Sequence, residues 1–134
     1  MTYHRTVRLV DTDAAGVMYF ASILPICHEA YEESLREVGI NFHDFVCNSA
    51  TVLPIVHAEV DFFRPLLCGD ELLVELTPRK VSETELEIAY RIINVKQPDK
   101  PSAQALTRHV CIQADSRKRA PLPSSIERWL LGYV

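Results

Sequence analysis

Two aspartates stand one residue apart in the segment RLVDTDAAGVMYF, residues 8–20 of a 134-residue chain. An Asp-x-Asp pair that follows an apolar run and precedes a lone glycine can mean a metal, a phosphoryl group or only a turn. An EF-hand loop counted from Asp11 requires an oxygen ligand at its fifth position and a bidentate glutamate at its twelfth. Those positions hold Ala15 and Ser22, which argues against calcium. An aspartyl-phosphate enzyme needs a parallel doubly wound sheet to bring a lysine and a magnesium-binding carboxylate to one crevice. The element order below does not supply that scaffold. The structural reading remains, in which the side chains shape a turn and offer oxygens to exposed amides at a helix start. It is the reading adopted for Asp11.

The elements that must position this pair follow from hydrophobic period. TYHRTVRLV, residues 2–10, alternates as a strand does. Beyond the aspartates, Phe20, Ile23, Leu24, Cys27, Tyr31, Leu35 and Val38 recur every three or four residues, one apolar stripe of a helix. Glu29, Glu32, Glu33, Arg36 and Glu37 fall mostly on its other faces. Proline is tolerated only in the first turn of a helix, so Pro25 places the start between Tyr19 and Ser22, and Gly39 suits the C-terminal cap. The helix therefore begins a few residues after Asp13. NFHDFVCNSA adds a helical turn or a loop. TVLPIVHAEVDFF, ELLVELTPRKV, TELEIAYRIINV and AQALTRHVCIQAD read as strands rich in Val, Ile, Leu and Thr. The short connectors RPLLCGD, RKVSET and KQPDKPS carry turn formers, and PSSIERWLLGYV reads as a short closing helix. Consecutive strands with short connections make an antiparallel sheet, so the expected class is α+β, with the long helix buried in the concave face of the sheet. Residues 1–134 read as one domain without repeats.

Composition narrows the partners. Hydrophobic residues make up 48% and charged residues 24%, as in soluble globular chains. A formal charge of -4 opposes a general nucleic-acid binder, which needs a cationic face. No run approaches the roughly 18 apolar residues of a membrane span, and the charged N-terminal stretch lacks the apolar core of a signal peptide. The expected location is the cytoplasm. Cys27, Cys47, Cys68 and Cys111 have no metal-site spacing, which predicts reduced and mostly buried thiols.

Two motifs in the right order carry a family resemblance. Asp11, Asp13, Gly16, Tyr19 and Phe20 match an Asp-x-Asp-x-x-Gly segment that runs into an aromatic pair. VDFFRPLLCGDELLVEL matches a second signature through Asp61, Phe62, Pro65, Gly69 and Asp70. Over nearly the whole chain the sequence resembles the hotdog-fold acyl-CoA thioesterases of the 4-hydroxybenzoyl-CoA thioesterase type, in which an antiparallel sheet wraps one long helix. Within that family, VDTDAAGVMYF, CHEAYE, LPIVHAEVDFF, CGDELLV, HVCI and RKRAPLP look most like the 1,4-dihydroxy-2-naphthoyl-CoA hydrolases of phylloquinone biosynthesis.

The resemblance implies Asp13 as the catalytic carboxylate, acting as nucleophile or as general base on water. It implies the backbone amide of Phe20, at the helix start, as oxyanion donor. Gly16 and Tyr19 border the substrate, and His28 takes the helix position where 4-hydroxybenzoyl enzymes carry an aspartate facing the ring hydroxyl. His28 is otherwise a polar residue on a helix flank. His57 lies on a strand expected to line an intersubunit cleft, whereas His4 and His109 read as packed or edge histidines. Arg117, Lys118 and Arg119 form the densest cationic run, available to coenzyme phosphates or simply solvated. HEAYE misses a zinc-protease helix because Glu32 stands where the second histidine belongs. No metal and no separate cofactor are expected, coenzyme A being part of the substrate. A homodimer paired edge to edge, or a homotetramer, is implied. The alternatives are a 4-hydroxybenzoyl-CoA or short-chain acyl-CoA thioesterase, or a non-catalytic acyl-CoA-binding protein.

Overall fold

The computed structural model describes residues 1–47 and 49–133. Asn48, in the expected turn or loop, and Val134, at the end of the expected closing helix, lie outside them. β1 (Thr2–Thr6) is followed by a 3-10 turn at Leu9–Asp11, then by a second 3-10 turn at Phe20–Ser22 that leads into α1 (Ile23–Glu37). Next come α2 (Phe42–Cys47), β2 (Thr51–Val52), β3 (Ile55–Phe62), β4 (Glu71–Ser82), β5 (Glu85–Asn94), β6 (Ala103–Val110), β7 (Ile112–Gln113) and α3 (Ser124–Leu131). The main sheet has the order β1-β4-β5-β6-β3, and every pairing in it is antiparallel. This is the α+β hotdog arrangement that the sequence leads one to expect.

Period-2 patterning builds the inner face. Leu72, Val74 and Leu76 of β4 and Leu86, Ile88, Tyr90 and Ile92 of β5 are all buried. In register, Tyr90 lies opposite Leu76 on one side and Ala105 on the other. Placing an alanine beside a tyrosine lets one face hold a large ring without overpacking. Against this face α1 buries Ile23, Ile26, Cys27, Ala30, Tyr31, Ser34 and Leu35. Its chain reverses at Gly39, where φ is +84° and a side chain would be strained. α3 closes the end of the core with Ile126, Trp129 and Leu130. Trp129 meets the Tyr31 ring edge-on at 5.6 Å and donates its indole N–H to Ser34 Oγ at 3.1 Å.

Several expectations need correction. The strand expected over 2–10 stops at Thr6, because the chain turns at Leu9–Asp11 to bring Asp11 back to the sheet. The run TVLPIVHAEVDFF is two strands divided at Leu53 and Pro54, and β2 pairs with β7 in a separate two-stranded sheet. Phe20 and Val38, assigned to the buried stripe, are 67% and 53% exposed because they lie at the two ends of the helix, past the sheet. Of the cysteines, Cys27 and Cys111 are buried, but Cys47 and Cys68 are exposed. Burial pushes the Cys27 thiol up to about 12, leaving it inert.

β3 is the least covered strand: seven of its eight residues are exposed and only Val60 is partly buried. It pairs with β6 along one side and has no strand on the other among the described residues.

Trp129→Ala removes the largest side chain of the core and leaves Ser34 facing a cavity. It should lower the free energy of unfolding by about 3–5 kcal/mol, measured by urea denaturation. A loss below about 1 kcal/mol would show that α3 does not close the core.

Candidate active site

The acid loop is a miniature hairpin fastened to its surroundings by backbone. Asp13 N–H donates to the Val17 carbonyl at 2.8 Å, Gly16 N–H returns to the Asp13 carbonyl at 3.1 Å, and Thr12 bridges to Met18. Gly16 has φ +79°, a backbone state that costs an L side chain about 1–2 kcal/mol, although open space surrounds the position. Its carbonyl accepts from Cys68 N–H at 3.0 Å, and Met18 N–H donates to the Leu66 carbonyl at 2.7 Å. The two motifs seen in the sequence therefore meet, since the Asp-x-Asp loop is held by the loop carrying Pro65, Gly69 and Asp70.

The two aspartates have different environments. Asp11 is buried, and its carboxylate accepts from both terminal nitrogens of Arg5, at 2.6 and 3.2 Å, and from Arg8 N–H at 2.8 Å. The Arg5 guanidinium holds the Asp11 carboxyl below the usual carboxylate range, outweighing the opposing effect of burial. Asp11 is architectural as expected, but its oxygens serve a strand arginine and the Arg8 amide that starts the short 3-10 turn, not the start of the long helix. Asp13 is exposed. Its Oδ1 accepts from Ala15 N–H at 2.8 Å and from Val17 N–H at 3.3 Å, while Oδ2 has no hydrogen-bond partner among the described residues. One oxygen fixes the carboxylate in the turn.

The helix start lies immediately downstream. Tyr19 N–H donates to the Asp11 carbonyl and Ser22 N–H to the Tyr19 carbonyl, each at 2.9 Å. Phe20 and Ala21 open the 3-10 turn, so their amides have no acceptor within it. Tyr19 and Phe20 are 48% and 67% exposed, with ring centroids 4.8 Å apart.

Two hollows flank the amino half of α1. One, of about 340 Å³, is bordered by Val17, Met18, Ile23, Phe62, Phe63 and Leu66, and so adjoins the acid loop. The other, of about 300 Å³, lies between α1 and α2 and is bordered by His28, Tyr31, Phe45, Val52, Leu53 and Pro54. Of the residues expected at the site, Asp13, Gly16, Tyr19 and Phe20 come together at the loop and helix start. His28 is exposed and lies in the second hollow, edge-on to Tyr31 at 5.5 Å. His57 borders neither hollow. It stands exposed on β3, 3.9 Å from Glu59. Arg119 pairs with Glu85 at 3.2 Å, and Arg117 occupies a turn with φ +65°. No group of three or more His, Cys, Asp or Glu residues among those described could hold a metal ion. No helix among them is long and apolar enough to cross a membrane.

Arg5 and Glu29 were missed in the sequence. The available signal was parity: Tyr3 and Arg5 of β1 and Val7 just beyond it share the inward side, and an arginine there must find buried partners. His109 is packed as expected, 1% exposed, with Nε2 2.9 Å from Thr107 Oγ1 and its ring 5.2 Å from that of Tyr31. Burial, with a smaller contribution from the nearby His28, pushes its pKa down to about 4.

Comparison with known proteins identifies the family. The family model described as "Thioesterase-like superfamily" matches residues 7–130. A 1,4-dihydroxy-2-naphthoyl-CoA hydrolase of Crocosphaera subtropica is 51% identical over 97% of this chain and 95% of its own. Another, of Nostoc punctiforme, is 54% identical over 96% of this chain and 85% of its own. The crystal structure of a 1,4-dihydroxy-2-naphthoyl-CoA thioesterase from Synechocystis superposes with a TM-score of 0.92 at 42% identity, covering 97% of this chain and 94% of that one.

The buried His109 generates a pH test. An unfolded histidine takes up its proton near pH 6.5, whereas the folded one resists protonation down to about 4. The unfolded state binds more protons across that window, so stability falls as the pH drops through it. Urea midpoints should fall more between pH 7 and pH 5 for the wild type than for His109→Gln. Equal losses in both would show that His109 is not the group responsible.

Proposed function

This chain belongs to the thioesterase-like superfamily and is an acyl-CoA thioesterase, and from that premise we propose that it hydrolyses 1,4-dihydroxy-2-naphthoyl-CoA in phylloquinone biosynthesis. One observation carries the site assignment: a carboxylate with one oxygen fixed and the other unpartnered among the described residues lies in the loop directly before helix-start amides that have no acceptor within the turn.

In this reading the thioester carbonyl lies between Asp13 and the amide of Phe20. Oδ2 of Asp13 either attacks the carbonyl carbon, giving a mixed anhydride that water opens, or removes a proton from an attacking water. The C–S bond breaks in either route, releasing coenzyme A as a thiol and the acyl group as a free acid. The Phe20 amide, at the positive end of the helix dipole, stabilises the oxyanion. Such a donor is worth about 3–4 kcal/mol in the transition state. Gly16 lets the substrate approach the loop closely, and Tyr19 borders it. His28 borders the second hollow and not the acid loop of its own chain, so its meeting with a hydroxyl of the aromatic acyl group requires pairing between subunits. All of this uses the chain's own residues and needs no cofactor.

The active unit in this reading is a homodimer, or a tetramer built from it, paired along β3. The support is the open edge of β3 and its exposure on both faces, together with the exposed Phe62 and Phe63 beside the acid loop. An unpaired strand edge of this length is a liability that pairing removes. His57, on that edge, then reaches the cleft between subunits. The expected place of action is the cytoplasm.

Thiol release from 1,4-dihydroxy-2-naphthoyl-CoA, 4-hydroxybenzoyl-CoA and a short-chain acyl-CoA tests the proposal. The first should turn over with the highest kcat/KM, and Asp13→Asn should lower kcat by about 100-fold or more. Preference for another thioester would replace the substrate, binding without turnover would make the protein an acyl-CoA binder, and a fully active Asp13→Asn would remove Asp13 from the chemistry. Single turnover in oxygen-labelled water that leaves label in Asp13 would establish the anhydride route, because water attacking the thioester directly puts its oxygen only in the released acid.

His28→Ala should narrow the preference for the dihydroxynaphthoyl group by about 10-fold, the effect of losing one hydrogen bond to substrate. Unchanged relative kcat/KM across the three thioesters would take His28 out of acyl recognition.

A further inference from the structure

An ion cluster ties the acid loop to the helix and has no part in the chemistry described so far. Arg5 is 8% exposed. Its Nη1 donates to Asp11 Oδ2 at 2.6 Å and to the Thr6 carbonyl at 2.6 Å. Its Nη2 donates to Asp11 Oδ1 and to Glu29 Oε2, each at 3.2 Å, and its Nε donates to Glu29 Oε1 at 2.8 Å. A guanidinium has five N–H donors, and these five bonds use all of them. Tyr3 adds its hydroxyl to Glu29 Oε1 at 2.9 Å, and the Arg8 amide adds to Asp11.

The two carboxylates belong to different parts of the site. Asp11 is two residues from Asp13, and its carbonyl receives the Tyr19 amide just before the Phe20 donor. Glu29 projects from α1 beyond its first turn. Arg5, fixed on β1, thus holds both together with a rigid, planar fork. A lysine in its place would carry the charge but, with three N–H donors and no planar fork, could not hold both carboxylates bidentately.

We propose that Arg5 is a positioning residue for thioester hydrolysis: by clamping Asp11 to Glu29 it fixes the Asp13 carboxylate relative to the amino end of the helix. The proposal rests on the reading of Asp13 as the catalyst. Arg5 borders neither hollow and so acts on the rate of the bound complex instead of on binding. Displacement of a reacting group by about 1 Å can cost about 100-fold in rate, so the clamp is expected to be felt in kcat.

The test is a mutant cycle on the full chain, using whichever thioester of the panel is turned over fastest. Arg5→Lys and Glu29→Gln are each made alone and together with Asp13→Asn, and kcat, KM and the thermal transition are measured for all. Arg5→Lys should lower kcat by about 10- to 100-fold with KM within about twofold and the protein folded at the assay temperature. Glu29→Gln, which keeps the Tyr3 hydrogen bond, should lower kcat less and in the same manner. It carries the test if Arg5→Lys does not fold. In the Asp13→Asn background neither substitution should lower the residual rate further, because the group being positioned is gone. Losses that multiply equally in both backgrounds, a change confined to KM, or an unchanged kcat would overturn the proposal. Full turnover by Asp13→Asn alone would overturn the catalytic reading and the proposal with it.

Discussion

Ile23, Ile26, Cys27, Ala30, Tyr31, Ser34 and Leu35 give α1 a continuous face that water does not reach, and the sheet curves to meet it. Each large aliphatic or aromatic side chain sequestered this way contributes about 1.5–3 kcal/mol, so the helix cannot shift along its axis without exposing several at once. The buried hydroxyl of Ser34 on that face is matched. Ser34 donates to the Tyr31 carbonyl and accepts from Trp129, while the Glu29 carboxylate on the flank is met by Arg5 and Tyr3. Because the helix is immobilised by its packing, its amino end becomes a fixed reference point. A backbone amide there can serve chemistry only if it does not move.

The acid loop needs a separate anchor, since Asp13 and its neighbours bury almost nothing. That anchor is polar: backbone bonds to the loop around Leu66 and Cys68, and the Asp11 carboxylate held by Arg5. The division of labour between the aspartates follows. Asp11 is enclosed with a cation that keeps it ionised, and so is committed to structure. Asp13 keeps one oxygen in the turn and the other without a partner among the described residues. Burial of Glu29 opposes its ionised form, yet the hydrogen bonds from Arg5 and Tyr3 hold its pKa below the usual value. The cluster is therefore charged at neutral pH, and removal of one member would leave another uncompensated.

Local pattern makes most of the framework legible in the sequence. The period of α1, the limit set by Pro25, the alternation of β4 and β5 and the turn formers between strands each act within a few residues. What escaped depended on contacts distant in sequence. The end of β1 at Thr6 is decided by Arg5 and Asp11 meeting across a turn, and Arg5 meets Glu29 across 24 positions. The exposure of Phe20 was hidden because a helical stripe records which side is apolar, not where the sheet that covers it ends. At the site, Asp13, Gly16, Tyr19 and Phe20 were adjacent in sequence and so could be grouped there. His28 and His57 occupy separate surfaces of one chain, and no sequence spacing states that separation.

The order of strands in the sheet differs from their order in the chain. β1 and β3 are made early, yet they occupy the two edges, β1 paired to β4 and β3 to β6. Neither has a partner in the main sheet until the β4–β5–β6 meander exists. The first half of the polypeptide, including the acid loop, must therefore wait for the second half before its strands can dock. Such long loop closures slow folding relative to chains with local contacts. The two edge strands therefore depend for their pairing on strands that follow them in the chain.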